Sequence, residues 1–242
     1  FACKGRKQED SFKKYKRVVN DQEYQDAAKF TFIYVIISVF VEIVLGLFLA
    51  FLFNRRIYGR GFMRSLMILP IFATPFAIGF MFFTILFEVS GPLAWMGIPF
   101  LSNHNWAPFS VMLVDIWQWT PFCFLVFLAA LQGIPDDLIE AATLDTKSAY
   151  KIWTSVILPL LQPIIVLVIL LRVAESAKLY DYIASLTKGG PGTATQSVSF
   201  LVFNKAFKMN DFGYASAGSF LMLIVVMIFV MLFFTRLRKT YE

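Results

Sequence analysis

Five long apolar segments constrain the fold of this chain more than any other feature of its sequence. They comprise residues 30–53, 65–87, 108–131, 156–174 and 214–234. Each has 19 to 24 residues, and the charged side chains within them are Glu42, Asp115 and Arg172. About 20 helical residues cross a bilayer core of about 30 Å. We therefore predict an all-α fold, a polytopic transmembrane helical bundle with five spans.

The composition excludes several other classes of protein. Charged residues make up 16% of the 242 residues and hydrophobic residues 58%, whereas soluble domains have about 25% charged residues. The apolar segments are continuous rather than alternating, which excludes a β-barrel. No Cys/His spacing indicates a metal site, and no basic stretch with interleaved aromatic residues indicates nucleic-acid binding.

The segments between the spans predict the organisation and orientation of the chain. We expect a polar extracytoplasmic segment at 1–29, a transmembrane domain at 30–235 and a cytoplasmic tail at 236–242. Since the chain begins with Phe1, a further span upstream is left open. The side with the 54–64 loop carries nine Lys and Arg residues and the other side twelve, but the positive-inside rule weights short loops near span ends. On that weighting, the 54–64 loop is cytoplasmic.

Two spans and one loop carry local signals of irregular structure. Pro70 and Pro75 interrupt the second span and are expected to leave backbone carbonyl groups free there. In the 133–158 loop, Pro135 and the acidic residues after it are typical of a helix start. Ser148 can cap a second short helix that continues into the fourth span. Two short helices between spans predict a rigid unit that can pass force to another protein.

The same loop carries an ordered motif, Glu-Ala-Ala, three residues, Gly, nine residues, Ile-x-Leu-Pro. The chain matches it with Glu140, Ala141, Ala142, Asp145, Thr146 in the Gly position, Val156 in the Ile position, Leu158 and Pro159. In this respect it resembles the membrane subunits of binding-protein-dependent ABC importers. A Gly between two helices usually supplies a positive φ, which costs a β-branched residue about 1–2 kcal/mol. Thr146 therefore indicates either a differently built turn or a strained one.

A second motif resembles the maltose and glycerol-3-phosphate branch of that family. It lies in the 175–213 loop and comprises Tyr180, Asp181, Leu186, Thr187, Lys188, Gly189, Gly190, Pro191 and Thr195. By resemblance, this outer loop dips back toward the outer mouth of the pathway and meets the protein that delivers substrate.

The resemblance implies a function, partners and a location. It implies a subunit of a sugar, oligosaccharide or polyol importer in the plasma (inner) membrane of a prokaryote, surrounded by lipid. A second permease would complete a heterodimer, and an extracytoplasmic binding protein would deliver the substrate. Two ATPase copies would contact Glu140, Ala141, Ala142, Asp145 and Thr146. The chain lacks the Gly-x-x-x-x-Gly-Lys-[Ser/Thr] motif, so ATP and Mg²⁺ would be bound by the ATPase, and this chain needs no cofactor or catalytic residue of its own.

Polar side chains lie on one face of each of two spans. The third span has Asp115, Gln118, Trp119 and Phe122, and the fourth has Arg172, Glu175 and Ser176. Intramembrane polar residues normally face a bundle interior or an aqueous path, and these groups suit the hydroxyls and rings of sugars. The family's substrate-lining positions fall on the same stretches by resemblance, which predicts a substrate pathway.

Other interpretations of these residues stay open at this stage. Arg172 could pair with Glu175, Asp115 could join two helices, and Glu42 fits a helix–helix contact best. An ion-coupled secondary transporter with Asp115, Arg172 and Glu175 as its relay is the alternative function. A membrane enzyme is disfavoured because no nucleophile–base or metal motif exists. Trp119 with Asp115 suits a neutral sugar, whereas Arg172 suits a phosphorylated polyol.

Overall fold

The computed structural model describes residues 13–54, 59–146 and 148–241. Residues 1–12 of the predicted polar segment, and Arg55 and Arg56 of the predicted cytoplasmic loop, lie outside the described residues. All regular secondary structure in the described part is helical. After a helical segment at 13–20, the α-helices are α1 (Gln22–Asn54), α2 (Arg60–Ile68), α3 (Pro75–Leu86), α4 (Trp106–Gln132), α5 (Asp136–Asp145), α6 (Ala149–Ile152), α7 (Leu158–Ser176), α8 (Val198–Phe203) and α9 (Phe212–Tyr241).

Four stretches of helix are long and apolar enough to cross a membrane. They are Gln22–Asn54, Trp106–Gln132, Tyr150–Ser176 and Phe212–Leu232. The first begins at Gln22 rather than at residue 30, because the Asp21 side chain accepts a hydrogen bond from the Glu23 N–H (3.1 Å) and so caps a polar first turn. The last continues to Tyr241, into the predicted tail.

The second predicted span is broken rather than continuous. Gly61–Phe72 and Pro75–Leu86 form a pair of helical segments bent by 101°. Thr74 has extended backbone angles (φ −67°, ψ 143°), since the ring of Pro75 excludes the helical conformation for the residue before it. The Thr74 hydroxyl accepts a hydrogen bond from Ala77 N–H (3.4 Å) and starts α3. The sequence predicted an interruption of the 65–87 span by its prolines, and the bend between the two helical segments lies directly before Pro75.

Contacts along α1 fix the relative directions of the helices. Near its C-terminal end, Phe51 packs edge-on against Trp153, with ring centroids 4.9 Å apart, just before α7. Further back, Glu42 is hydrogen-bonded to Arg172 near the C-terminal end of α7. The two helices are therefore antiparallel. The 133–158 loop lies at the C-terminal end of α1, and the outer loop lies at the opposite end, where Lys205 contacts Glu23 (2.6 Å).

The 133–158 loop forms two short helices, α5 and α6, and the residue directly after α5, Thr146, is extended. Thr146 has φ −151° and ψ 138°, which any residue adopts readily, so its position in place of Gly requires no strain. The Thr146 hydroxyl accepts a hydrogen bond from Ser148 N–H (3.3 Å), and the Ser148 hydroxyl accepts one from Lys151 N–H (3.4 Å). At Thr146 the turn therefore uses extended backbone and a side-chain hydroxyl rather than a positive φ.

A carboxylate organises the 88–107 loop. Glu88 Oε1 accepts hydrogen bonds from the N–H groups of Leu101 and Ser102, both at 2.7 Å, and the Ser102 hydroxyl donates to Oε2 at 2.5 Å. Partial burial raises the pKa of Glu88, but the hydrogen bonds from Ser102 and Leu101 outweigh it and hold the pKa below its usual value.

Gly46 generates the first prediction, because it lets α1 approach α4 closely. A Cβ at this position would lie 2.6 Å from Cys123 Cβ and 3.0 Å from Phe124 N. We expect Gly46→Ala to lower the free energy of unfolding by about 1–3 kcal/mol through overpacking. Denaturant unfolding in detergent measures this change in the free energy of unfolding. Gly61→Ala is the control, since a Cβ there meets nothing within 4 Å. Equal stability of the two variants would contradict the close approach.

Candidate functional site

A buried ion pair links the first and fourth predicted spans. Arg172 Nε donates to Glu42 Oε2 at 2.6 Å, and Arg172 Nη2 donates to Glu42 Oε1 at 2.8 Å. The guanidinium and carboxylate thus form a bidentate pair, the strongest arrangement these groups make. Glu42 is 0% and Arg172 2% exposed, so the pair is shielded from water.

A second carboxylate, that of Asp115 on α4, also contacts Arg172. Arg172 Nη2 lies 3.3 Å from Asp115 Oδ1 and 3.5 Å from Oδ2, which are longer contacts than those to Glu42. The same nitrogen donates to the Ser176 hydroxyl at 3.1 Å. With both carboxylates ionised against one guanidinium, the formal charge of the network is −1. We call Glu42, Asp115, Arg172 and Ser176 the charged network.

A cation–π contact and three hydrogen bonds connect the charged network to the bend between α2 and α3. The Arg172 guanidinium lies over the Trp119 ring, 4.6 Å from its centroid. Trp119 Nε1 donates to the Tyr182 hydroxyl (3.1 Å), which donates to Gln118 Oε1 (2.7 Å). Gln118 Nε2 donates to the Ala73 carbonyl (2.9 Å), the group freed where the helix breaks.

A cavity of about 250 Å³ opens beside this network. Its lining combines charged groups with the rings of Tyr34, Trp119, Tyr180 and Tyr182. The lining residues are Tyr34, Pro75, Asp115, Trp119, Arg172, Glu175, Ser176, Lys178, Leu179, Tyr180, Asp181 and Tyr182. This volume lies just below the usual range of small-molecule sites, about 300–1,000 Å³, and the few convergent polar groups suit a small ligand with hydroxyls.

The structure brings most of the predicted pathway residues together. Asp115, Trp119, Arg172, Glu175 and Ser176 line the cavity. The other two stand behind it: Gln118 is buried, and Phe122 packs edge-on against the Trp119 ring, with centroids 6.2 Å apart. In the described residues, no group of three or more His, Cys, Asp and Glu side chains could hold a metal ion.

The predicted alternative pairing of Arg172 with Glu175 is wrong. Glu175 is 54% exposed and pairs with Lys178 at 2.8 Å, while Arg172 points into the protein toward Glu42. Sequence reasoning placed Glu42 in a helix contact and left it out of the site. One signal could have found it, because a lone acidic residue and a lone basic residue in separate apolar spans have few other partners. Tyr182 carried no such signal.

The outer loop motif forms a compact turn that supports one wall of the cavity. Gly189 has φ +89°, and a Cβ there would lie 2.8 Å from Phe200 Cε1, so both backbone and packing require Gly. The Thr195 hydroxyl donates to the carbonyl of Gly190 at 2.8 Å, just before Pro191. Asp181 lies on the wall itself and is exposed.

The residues of the Glu-Ala-Ala motif lie on the surface at the end of the helical bundle opposite the outer loop. Glu140, Ala141 and Asp145 are exposed, and Ala142 and Thr146 are half-buried. Two large apolar side chains stand out beside them, Leu144 at 85% and Tyr150 at 78% exposure.

Comparison with known proteins assigns the chain to a family. Residues 42–242 match the model of the inner membrane component of binding-protein-dependent transport systems. The chain belongs to this family. It is a membrane component of a transport system, in agreement with the resemblance of its two motifs.

Individual relatives extend this finding. The chain is 36% identical to the trehalose/maltose transport system permease protein MalF of Thermococcus litoralis, over 90% of this chain and 76% of that protein. It is 30% identical to the sn-glycerol-3-phosphate transport system permease protein UgpA of Agrobacterium fabrum, over 88% and 75%. A bacterial alginate ABC transporter, solved in complex with its alginate pentasaccharide-bound periplasmic protein, has the same fold: TM-score 0.83, 20% identity, and 93% and 82% of the two chains covered.

The charged network generates a prediction about stability. Arg172→Met keeps an unbranched, flexible side chain but leaves Glu42 and Asp115 buried without a cation, so we expect the free energy of unfolding to fall by about 3–5 kcal/mol. Lys178→Met is the matched control. Its exposed pair with Glu175 should contribute less than about 1 kcal/mol. Denaturant titration in detergent measures both, and similar losses in the two variants would refute the pairing.

Proposed function

We propose that the chain is the transmembrane subunit of an ATP-driven importer that translocates a sugar, oligosaccharide or related polyol. The observation that carries this proposal is the cavity, where carboxylate, guanidinium, hydroxyl and aromatic groups converge within a family of transport subunits. The substrate class is supported by similar proteins that are named as permeases for trehalose and maltose and for sn-glycerol 3-phosphate.

Three kinds of partner complete the proposed assembly. An extracytoplasmic binding protein would deliver substrate to the outer loop, a role supported by the periplasmic protein bound to the alginate transporter. A second, related permease would form a heterodimer with this chain. Two ATPase subunits would bind ATP and Mg²⁺, because this sequence has no phosphate-binding loop of its own. The location would be the plasma membrane of a prokaryote.

The Glu-Ala-Ala surface is the proposed contact with the ATPase. The residues in it are Glu140, Ala141, Ala142, Asp145 and Thr146, with Leu144 and Tyr150 supplying apolar area for a partner. Because α6 continues through a helical turn into α7, a displacement of this surface is passed directly to the helix that carries Arg172. ATP-driven closure of the ATPases would thus turn the spans toward an outward-facing state.

The ion-coupled alternative is not favoured. It needs Asp115, Arg172 and Glu175 to act as a relay, yet Glu175 is exposed and paired with Lys178, away from Arg172. The family of this chain is also one whose transport depends on a binding protein, as its description states.

Removal of one carboxylate tests the coupling surface. We expect Glu140→Ala to reduce ATP-dependent uptake into proteoliposomes by at least about tenfold while the melting temperature stays unchanged, because Glu140 is exposed and supports no packing. Asp137→Ala, an exposed carboxylate on the same helix but outside the motif, is the control and should transport normally. Normal uptake by Glu140→Ala would exclude this coupling role.

Purification from the native membrane tests the whole assembly. The tagged chain, solubilised gently, should bring with it a phosphate-binding-loop ATPase and a second permease, which mass spectrometry identifies. The isolated complex should then import a labelled sugar only when ATP and a binding protein are present. Recovery of the chain alone or as a homo-oligomer would argue for the gradient-driven alternative.

A further inference from the structure

The charge of Arg172 is already matched inside the protein. Its guanidinium contacts both carboxylate oxygens of Glu42 and both of Asp115, and all three side chains are at most 3% exposed. Opposite charges in contact cancel most of each other's field at a distance. Although Arg172 lines the cavity, it therefore offers an anionic ligand little attraction.

The remaining charges around the cavity are acidic in sum. The charged network contributes −1. At the rim, Glu175 and Lys178 pair with each other, and Asp181 adds a further −1. A phosphate or carboxylate group entering the cavity would meet a formal charge of −1 from the buried network, which water screens little, and a further −1 from the exposed Asp181, which disfavours its binding.

The same groups suit a neutral ligand with hydroxyls. The contacts from Arg172 to Asp115 are long, at 3.3 and 3.5 Å, so the Asp115 carboxylate keeps lone pairs for hydroxyl donors on the cavity side. The rings of Trp119 and Tyr180 lie on the lining, where the apolar face of a sugar ring can stack.

From these observations we infer that the cavity selects neutral saccharides over anionic ones, and that Glu42 sets this selectivity. Glu42 does not line the cavity. It acts as a positioning residue, because its bidentate contact neutralises Arg172 and fixes the orientation of the guanidinium. The inference rests on the proposed importer function and narrows its substrate class.

Ligand binding to the purified transporter complex, without its binding protein, tests the selectivity directly. Saturation-transfer NMR in detergent gives apparent dissociation constants for two probes, maltose and sn-glycerol 3-phosphate. For the wild-type complex we expect maltose to bind at least about tenfold more tightly than glycerol 3-phosphate. Equal affinities, or tighter binding of glycerol 3-phosphate, would overturn the inference without any variant.

Three variants separate the role of Glu42 from a purely structural one. Glu42→Gln keeps the shape and removes one negative charge, so the ratio of the two affinities should fall on the order of tenfold. Glu42→Asp keeps the charge and should keep the ratio. Asp26→Asn makes the same charge change at an exposed residue of α1 that pairs with Lys29, and it should also leave the affinity ratio unchanged. An unchanged ratio in Glu42→Gln would overturn the role of Glu42.

Uptake assays distinguish the failure of this inference from the failure of the proposed function. A complex that shows no ATP-dependent uptake of any saccharide or polyol refutes the importer itself. A complex that imports maltose but binds glycerol 3-phosphate equally well refutes only the selectivity. If Glu42→Gln does not assemble, the wild-type ratio and the Glu42→Asp ratio still decide the selectivity.

Discussion

The pairing of Arg172 with Glu42 and Asp115 is the interaction on which the bundle depends. Lipid tails are as apolar as leucine side chains, so apolar contact alone gives helices in a membrane little reason to choose one neighbour over another. The three charges lie on α7, α1 and α4, and each would be costly if it faced hydrocarbon. Their mutual contact therefore selects which helices meet, and in which register.

In the irregular parts of the chain, too, polar groups inside the bundle find partners. The helix break before Pro75 frees the Ala73 carbonyl, and an unpaired carbonyl at this depth would be unfavourable. Gln118 supplies the missing donor and is itself held by Tyr182. Trp119 donates a hydrogen bond to Tyr182 and lies under the guanidinium of Arg172. The bend, the cavity and the charged network therefore form one continuous polar system within an apolar bundle.

Sequence analysis succeeded where the information is local and failed where it depends on the tertiary structure. Helical spacing alone placed Asp115 and Trp119 on one face, and both line the cavity. The partner of Arg172, by contrast, is 130 residues away, beyond any periodicity. Tyr182 lies in an irregular loop, where no pattern predicts orientation. The backbone angles of Thr146 could not be predicted either, because the family motif suggested a Gly that this turn does not need.

The close approach at Gly46 also determines where the bundle can deform. Helices slide past each other only when their side chains leave some freedom, and here the backbone of α1 rests almost directly on Cys123 of α4. We therefore expect α1 and α4, which carry Glu42 and Asp115, to move together. A displacement of α7 relative to them would then shift Arg172 against the two carboxylates that it contacts.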